Sequence, residues 1–447
     1  MEEIGRHSLT EKEKKMLENK TILIIGADQL TKDCIRSSIT SYGVKVILVS
    51  TEISPPVNVY KYIQYDFTNP QLDHIYAREI VQILTDLRLN IDGCCTFKDE
   101  CAPLTAYICD KLQLAGGVGV KGAIIARGKN LIHSFLRQET AGVPYYPRTF
   151  GYTGRSARVT CEETLRYAIG FVGLPAVCKP EHGAHADGVK LVRNEKECLS
   201  LIMKRTSSFT TGEPMMIMEY FDGTEHDIEV ILYQGEVIAA VVSDNGPTRP
   251  GSFLETSMSM PSCLPSYKIN QLQRAASDCC IDVGLRNGVF NVEMKMTSKG
   301  PKLLEINGRM GGHYVRDYVY SCYGFDLAWY VIVISVGIRP PVPELQPQGH
   351  VIGITCHWPV HKHLLCGAEF GNKIEELIKS KGIRFYGSKS IDNNESVTTI
   401  KSVCNVSVVK ESLQDAKTAL LHICDDLGIN TSLFDVPLYL SDFVVKE

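Results

Sequence analysis

The sequence predicts an α/β protein whose front domain is doubly wound, and three observations predict it. The chain has 447 residues, about three times a working domain size of roughly 150. Apolar residues make up 44% and charged residues 22%, the balance of a globular multidomain chain with more than one core. The third observation is the opening segment. Thr21-Ile-Leu-Ile-Ile-Gly-Ala-Asp28 is a buried strand running into Gly26; a helix follows, and Val44 to Ser50 is a second strand. Strand–Gly–helix–strand begins a parallel sheet.

Charge narrows the function classes. Lys and Arg number 47 against 51 Asp and Glu, a net charge of −4. That balance gives no basic field for nucleic acid and no polybasic surface for a membrane. The leader, residues 1–20, is highly charged and has no apolar core, so neither a signal peptide nor a spanning helix is expected there. The most apolar stretch, residues 329–338, is about half the ~20 residues a membrane span needs, so it reads as a buried helix. The sixteen cysteines contain no C-x-x-C pair and read as reduced, mostly buried thiols of a cytoplasmic protein.

Residues 21–120 form the Rossmann-like front domain. Gly26 is not a dinucleotide fingerprint, because Asp28 and Thr31 stand where further glycines would be needed. The alternation continues through a strand at 91–96 and a helix at 102–112. Residues 121–223 make a small lobe and 224–340 a larger α/β lobe. Pro340, Pro341, Pro343 and Pro347 mark a linker. Residues 341–447 then form a small α/β cap, with helices at 374–381 and 413–427 around a strand at 403–409.

Chemistry concentrates in Val289-Phe-Asn-Val-Glu-Met-Lys-Met-Thr-Ser-Lys-Gly-Pro-Lys-Leu-Leu-Glu-Ile-Asn-Gly-Arg309. Two alternating strands meet at a Ser-Lys-Gly turn. Phe290, Val292 and Met294 face one way, and Asn291, Glu293 and Lys295 the other. In the return strand Leu304 and Ile306 face the core, so Glu305 and Asn307 share the opposite face. Glu293, Glu305 and Asn307 form an oxygen-only set suited to Mg2+, or Mn2+ in its place. Arg309 lies two residues further on the same face. The competing reading is a solvated sheet face; Glu, Asn and Arg alternating with apolar neighbours weigh against it.

Two further elements precede this hairpin. A strand delivers Lys179, and Glu181-His-Gly-Ala-His-Ala-Asp-Gly188 follows. Its small residues let backbone N–H groups approach phosphate oxygens, although no Walker sequence is present. An apolar strand then runs through Glu219, Tyr220 and Phe221 into a turn at Asp222-Gly223, and out through Glu225. Such a turn can hinge two lobes. Backbone groups of Tyr220 and Phe221 could read a base edge there, with Glu225 on ribose hydroxyls. Taken alone, the Lys179 loop reads better as a simple hairpin, and the segment around Gly223 has the competing reading of an edge hairpin with surface acids.

In series these elements resemble the ATP-grasp superfamily of carboxylate–amine ligases. Lys129 before Ala141-Gly-Val-Pro144 fits the first lysine. Lys179 with the loop from His182 and Gly183 to Gly188 fits the second. Glu219 and Gly223-Thr-Glu225 fit the hinge, and Glu293 with Glu305-Ile-Asn-Gly-Arg309 fits the metal hairpin. Within the superfamily, residues 305–317 are most similar to the carnosine synthase group, and next to bacterial L-amino-acid ligases that form dipeptides. Two departures stand out. Gly308 replaces the usual proline of N-P-R, and Met258 stands where related ligases often have histidine.

The resemblance implies the rest. The fold is a Rossmann-like domain, a two-lobed ATP-grasp clamp and a C-terminal cap. ATP would activate a carboxylate as an acyl phosphate that an amine then attacks. Lys129 and Lys179 would hold the α- and β-phosphates, and residues 182–188 would close over them. Arg309, with backbone N–H groups of Gly311 and Gly312, would stabilise the transferring phosphoryl group and the oxyanion. Glu255 would bind a substrate ammonium, and His313 and Arg316 would line the pocket. Partners are amino-acid substrates, with β-alanine or 4-aminobutyrate plus histidine supplied by the resemblance alone, and a homodimer. Two alternatives remain: an ATP-grasp carboxylase using bicarbonate, and a non-catalytic nucleotide-binding module. Met294-Lys295-Met296 matches a biotin-attachment tripeptide by coincidence, since it sits inside the metal hairpin. His357, His361 and His363 invite a zinc reading, but Pro359 breaks the helical spacing that would align them.

Overall fold

In the computed structural model the described residues are 10–37, 39–55, 57–137, 149–181, 186, 188–205, 214–249, 251–312, 314–358, 360–365, 368–387 and 401–445. His182, Gly183, His313, Pro359 and the Ala141-Gly-Val-Pro144 turn lie outside them.

The front sheet is parallel. Its strands are β1 (Thr21–Ile25), β2 (Lys45–Ser50), β3 (Lys61–Gln64) and β4 (Gly93–Cys95), in the order β3-β2-β1-β4. β1 is buried on both faces because its residues alternate between two cores. Ile22 and Ile24 join one cluster; Leu23 and Ile25 join the other. Such continuous apolar runs mark a parallel sheet covered on both sides. Asp28 is the residue standing in a fingerprint position. Its Oδ1 accepts the Thr31 N–H at 2.8 Å, capping the next helix.

The small lobe is a four-stranded antiparallel sheet. Its strands are β5 (Ser156–Val159), β6 (Ala176–Pro180), β7 (Lys190–Val192) and β8 (Met215–Glu219), in the order β5-β8-β6-β7. One face packs Cys178 and Ile217 beneath Leu165 and Ala168 of the helix Glu162–Val172. The other face carries Met216 and Met218, with Phe221 just beyond β8.

The largest sheet has eight strands. These are β9 (Thr224–Tyr233), β10 (Glu236–Asn245), β11 (Ser257–Met260), β12 (Gly288–Thr297), β13 (Gly300–Asn307), β14 (His350–Trp358), β15 (Arg384–Gly387) and β16 (Lys401–Lys410). Their order is β13-β12-β9-β10-β11-β14-β16-β15. The segment beyond the prolines therefore joins the large lobe's own sheet, with β14 hydrogen-bonded to β11 from Ser257↔Ile354 to Met260↔Val351. The helix Leu327–Ser335 is buried at every residue. It wedges between the front sheet and β12, which explains an apolar stretch too short to span a membrane. No helix among the described residues is long and apolar enough to cross one.

The metal hairpin departs from strict alternation at one point. Glu293 pairs with Glu305, but Met294 pairs with Leu303, so Leu304 is the extra residue of a β-bulge. Leu303 and Ile306 therefore enter the core. Leu304, expected there, instead packs against Met216, Met218 and Phe221 of the small lobe.

Candidate active site

The site is built on three adjacent strands. Strand side chains repeat every two residues, so Glu225, Asp227 and Glu229 of β9 share one face. The register sets Glu225 opposite Lys295, Asp227 opposite Glu293, and Glu229 opposite Asn291 on β12. On the far side, Glu293 faces Glu305 and Asn291 faces Asn307. The reverse face is apolar, with Ile228, Val230, Val292, Met294 and Ile306 under the helix Ser266–Val283. One hydrophobic face thus holds a polar ladder three strands wide.

Hydrogen bonds knit the ladder. Asn291 Nδ2 donates to Glu229 Oε1 at 2.9 Å. Asn307 Nδ2 donates to Asn291 Oδ1 at 2.9 Å and to Glu293 Oε1 at 3.2 Å. Asn245 Nδ2 donates to Asp227 Oδ2 at 3.1 Å.

Two lysines meet this face from the other lobe. Lys129 is the first residue of the helix Lys129–Leu136, and its Nζ lies 2.9 Å from Glu305 Oε2. Lys179 is buried on β6. Burial and the neighbouring Lys129 push the Lys179 ammonium below its ordinary range, against the pull of Glu305 and Glu293. Burial alone would raise Glu305, but the Lys129 and Lys179 charges outweigh it and hold the carboxyl down at about 2. Glu293 is driven well up by burial and by Glu305 opposite.

That asymmetry is a test of metal fit. Two carboxylates face each other across a hairpin, and burial with like charge disfavours ionising both. Asn307 donates through Nδ2, which leaves its amide oxygen free of these bonds. Among the described residues no group of three or more His, Cys, Asp or Glu is placed to hold a metal. Two carboxylates and an amide oxygen are nonetheless a donor set of the kind Mg2+ takes, with waters and phosphates completing it.

The apolar cluster of Met216, Met218, Phe221 and Leu304 lies between the lobes beside these charges. Phe221 is buried in it while Tyr220 is 39% exposed. Glu219 follows Met218 on β8, and its Oε2 accepts the Arg155 N–H at 3.2 Å. The hinge that follows requires glycine. Gly223 has φ +83°, and a Cβ there would lie 2.1 Å from the Met296 carbonyl oxygen. Glu225 stands 3.8 Å from Lys295 Nζ, and Gly188 has φ +75°.

The turn after β13 corrects one expectation. The Gly311 N–H, expected as an oxyanion donor, is taken by Glu229 Oε2 at 2.9 Å. Burial pushes Glu229 up to about 7 despite that bond. Gly311 is glycine because a Cβ would meet Glu229 Oε1 at 2.3 Å. Its role is to let the turn close on β9. Gly312 lies beside Arg309, 3.7 Å from its Nη1 in Cβ position. Arg309 Nη1 donates to the Met310 carbonyl at 2.7 Å.

Arg316, expected at the substrate, is instead a structural clamp. Its Nε and Nη2 donate to the two oxygens of Asp326 at 2.6 and 2.5 Å. The same carboxylate accepts Tyr42 Oη from the front domain at 2.6 Å and caps the helix Leu327–Ser335 through Ala328 N–H. Bidentate pairing of a buried Arg and Asp locks both side chains. Arg316→Ala leaves Asp326 buried with its charge uncompensated, so stability should fall by roughly 3–5 kcal/mol. Thermal unfolding reads this, while turnover per folded molecule should persist. Unchanged stability with lost turnover would return Arg316 to the substrate.

Glu255, expected at a substrate ammonium, is a buried carboxyl among other carboxylates. Burial pushes its carboxyl up to about 8, and the charges of Asp227, Glu225 and Glu305 add to the push. His357 Nε2–H donates to the Glu255 carbonyl at 2.8 Å. His357 N–H in turn donates to His361 Nδ1 at 2.9 Å. His357 and His361 thus brace the Glu255 segment through backbone groups. Met258 is fully buried with Tyr314 and Tyr318, so the wall at that position is apolar.

Sequence reasoning missed Asp227, Glu229 and Asp99, and placed Asn291 on the right face without giving it a role. Asp227 and Glu229 had a signal, since they continue the alternation of Glu225. Asp99 had none. It lies in the front domain, and its Oδ1 accepts the Gly308 N–H at 2.9 Å.

The comparisons with known proteins agree with this geometry. The family model "ATP-grasp in the biosynthetic pathway with Ter operon" matches residues 211–351. Carnosine synthase 1 of Homo sapiens is 31% identical over 443 residues, 96% of this chain and 53% of the relative. The chain thus spans about half the length of the carnosine synthases it matches. Alanine–anticapsin ligase of Bacillus subtilis is 27% identical over 286 residues, 58% of this chain and 57% of the relative. Among solved structures, L-amino acid ligase from Bacillus licheniformis shares the fold with a TM-score of 0.69 at 16% identity, over 91% of this chain and 98% of that one. By these matches the chain is an ATP-grasp protein related to carnosine synthase and the L-amino-acid ligases.

Proposed function

We propose that this chain is an ATP-dependent ligase that joins an amino-acid carboxylate to an amine through an acyl phosphate, releasing ADP and phosphate. The observation that carries the reading is the charge arrangement of the cleft. Lys129 and Lys179 face Glu305 from one lobe, while Glu293 and Asn307 complete a hairpin that ends on Arg309.

Phosphoryl transfer needs positioning and charge neutralisation more than covalent help from the protein. The slot of Met216, Met218, Phe221 and Leu304 takes the base, with Tyr220 and Phe221 backbone groups at its edge and Glu225 near the ribose. Lys129 and Lys179 take the α- and β-phosphates. Glu293, Glu305 and Asn307 would hold a Mg2+ ion, which would supply charge neutralisation on the phosphate oxygens. Arg309 stabilises the transferring phosphoryl group and then the oxyanion formed when the amine attacks; losing one such donor costs roughly 3 kcal/mol in comparable sites.

Glu255, crowded by other carboxylates, gains most from an ammonium ligand. That favours an amino acid as one substrate, and the kinship with carnosine synthase favours a dipeptide-like product made in the cytoplasm. ADP release across a panel of amino acids, singly and in pairs, tests the reading, with mass spectrometry of the product. Stimulation by a carboxylate plus an amine supports it. Dependence on bicarbonate, or no nucleotide turnover with any pair, overturns it.

A further inference from the structure

The front domain supplies a side chain to the catalytic turn. β4 ends at Cys95, and the loop beyond it is fastened by Thr96. Its Oγ1 donates to the Ile25 carbonyl at 2.7 Å and accepts the Lys98 N–H at 3.0 Å. The next residues, Asp99–Cys101, form a single 3-10 turn leading into the helix Ala102–Lys111. This rigid corner meets the large lobe at Gly308. Asp99 Oδ1 accepts the Gly308 N–H at 2.9 Å across 209 residues of sequence. A Cβ on Gly308 would lie 2.8 Å from the Ala102 Cβ, so the two backbones approach as only glycine allows.

Gly308 lies between Asn307 and Arg309. Asp99 also stands within the fields of Arg309, Glu305 and Lys129. A residue with a side chain would hold the domains apart, and a proline would have no N–H to give.

We infer that Asp99 is a positioning residue for Arg309: by holding the Gly308 N–H it sets the turn that aims the guanidinium, and so makes catalysis depend on the docked front domain. The inference rests on the ligase reading for its kinetic consequence but not for the contact itself.

Three variants of the full chain test it. Asp99→Ala removes the acceptor, Asp99→Asn keeps an acceptor oxygen, and Gly308→Pro with Ala102→Gly removes the donor while making room. Two quantities are read: kcat and KM for ATP in the amino-acid-dependent assay, and amide hydrogen exchange in the peptide spanning Asn307 to Gly311. Loss of a hydrogen bond to a charged group corresponds to about a tenfold effect or more. Asp99→Ala and the double variant should lower kcat by about tenfold with KM for ATP within about twofold, and Asp99→Ala should speed exchange at Gly308 about tenfold. Asp99→Asn should recover kcat to within about threefold of the parent. A merely structural contact would lower stability or raise KM without this split. The inference is overturned if Asp99→Ala keeps the parent kcat, if Asp99→Asn is as slow as Asp99→Ala, or if exchange at Gly308 does not change. If the parent itself shows no amino-acid-dependent ADP release, the ligase reading fails, and the exchange measurement alone decides the Asp99 contact.

Discussion

Glu305→Gln is expected to lower ATP turnover by about a thousandfold or more while leaving the fold intact. Glu305 carries two loads. It is one of two carboxylates of the candidate metal set, directly opposite Glu293. It is also the anion that Lys129 approaches at 2.9 Å and that Lys179 and Lys129 together keep ionised. The glutamine is nearly the same shape, so β13 should form unchanged and packing of Leu303 and Ile306 should persist. The variant loses the negative charge that holds the metal and balances two lysines. Nucleotide affinity should fall much less than turnover, because both lysines remain for the phosphates. Circular dichroism and thermal unfolding check the fold, and ADP release checks the chemistry. Release at the parent rate would show that the metal set is misassigned.

Arg309→Lys should fail almost as badly, by about a hundredfold or more in turnover. The guanidinium is a planar fork with fixed donors; an ammonium is a single flexible point charge. Arg309 already gives one Nη1 hydrogen bond to the Met310 carbonyl, which orients the rest of the fork. A lysine could supply the charge but not that anchoring and a phosphoryl contact together. KM for ATP should change little, since the group acts on the transferring phosphoryl rather than on the resting nucleotide. Full activity in the lysine variant would remove Arg309 from the catalytic groups.

Both variants probe residues that were legible in the sequence, and the reason is periodicity. Alternation at intervals of two put Asn291 and Glu293 on one strand face and Glu305 and Asn307 on another, and the short turn between them left one register. The same alternation, followed into 225–229, would also have reached Asp227 and Glu229. It failed at Leu304, where a bulge adds one residue and turns that side chain toward the small lobe. A bulge depends on the partner strand, which the strand's own sequence does not describe.

Backbone donors and long-range pairs were less legible. Gly311 was expected to offer its N–H to an oxyanion, but Glu229, far earlier in the chain, accepts it. Arg316 was expected in the pocket because it follows the catalytic turn. Its direction along the helix Val315–Tyr323 points it to Asp326 and the front domain instead.

The sequence by itself determined the α/β class of this protein, the Glu293–Glu305 hairpin and the turn at Gly223. These follow from local pattern, strand alternation and a positive-φ turn, while Lys129 was pointed to only by the family resemblance. Only the tertiary structure decided which lobe faces which charge, that the segment beyond the prolines extends the large sheet, and that Asp99 reaches Gly308. Those depend on the packing of the helix Leu327–Ser335 between two sheets, and on contacts between residues hundreds of positions apart, for which no nearby sequence carries a signal.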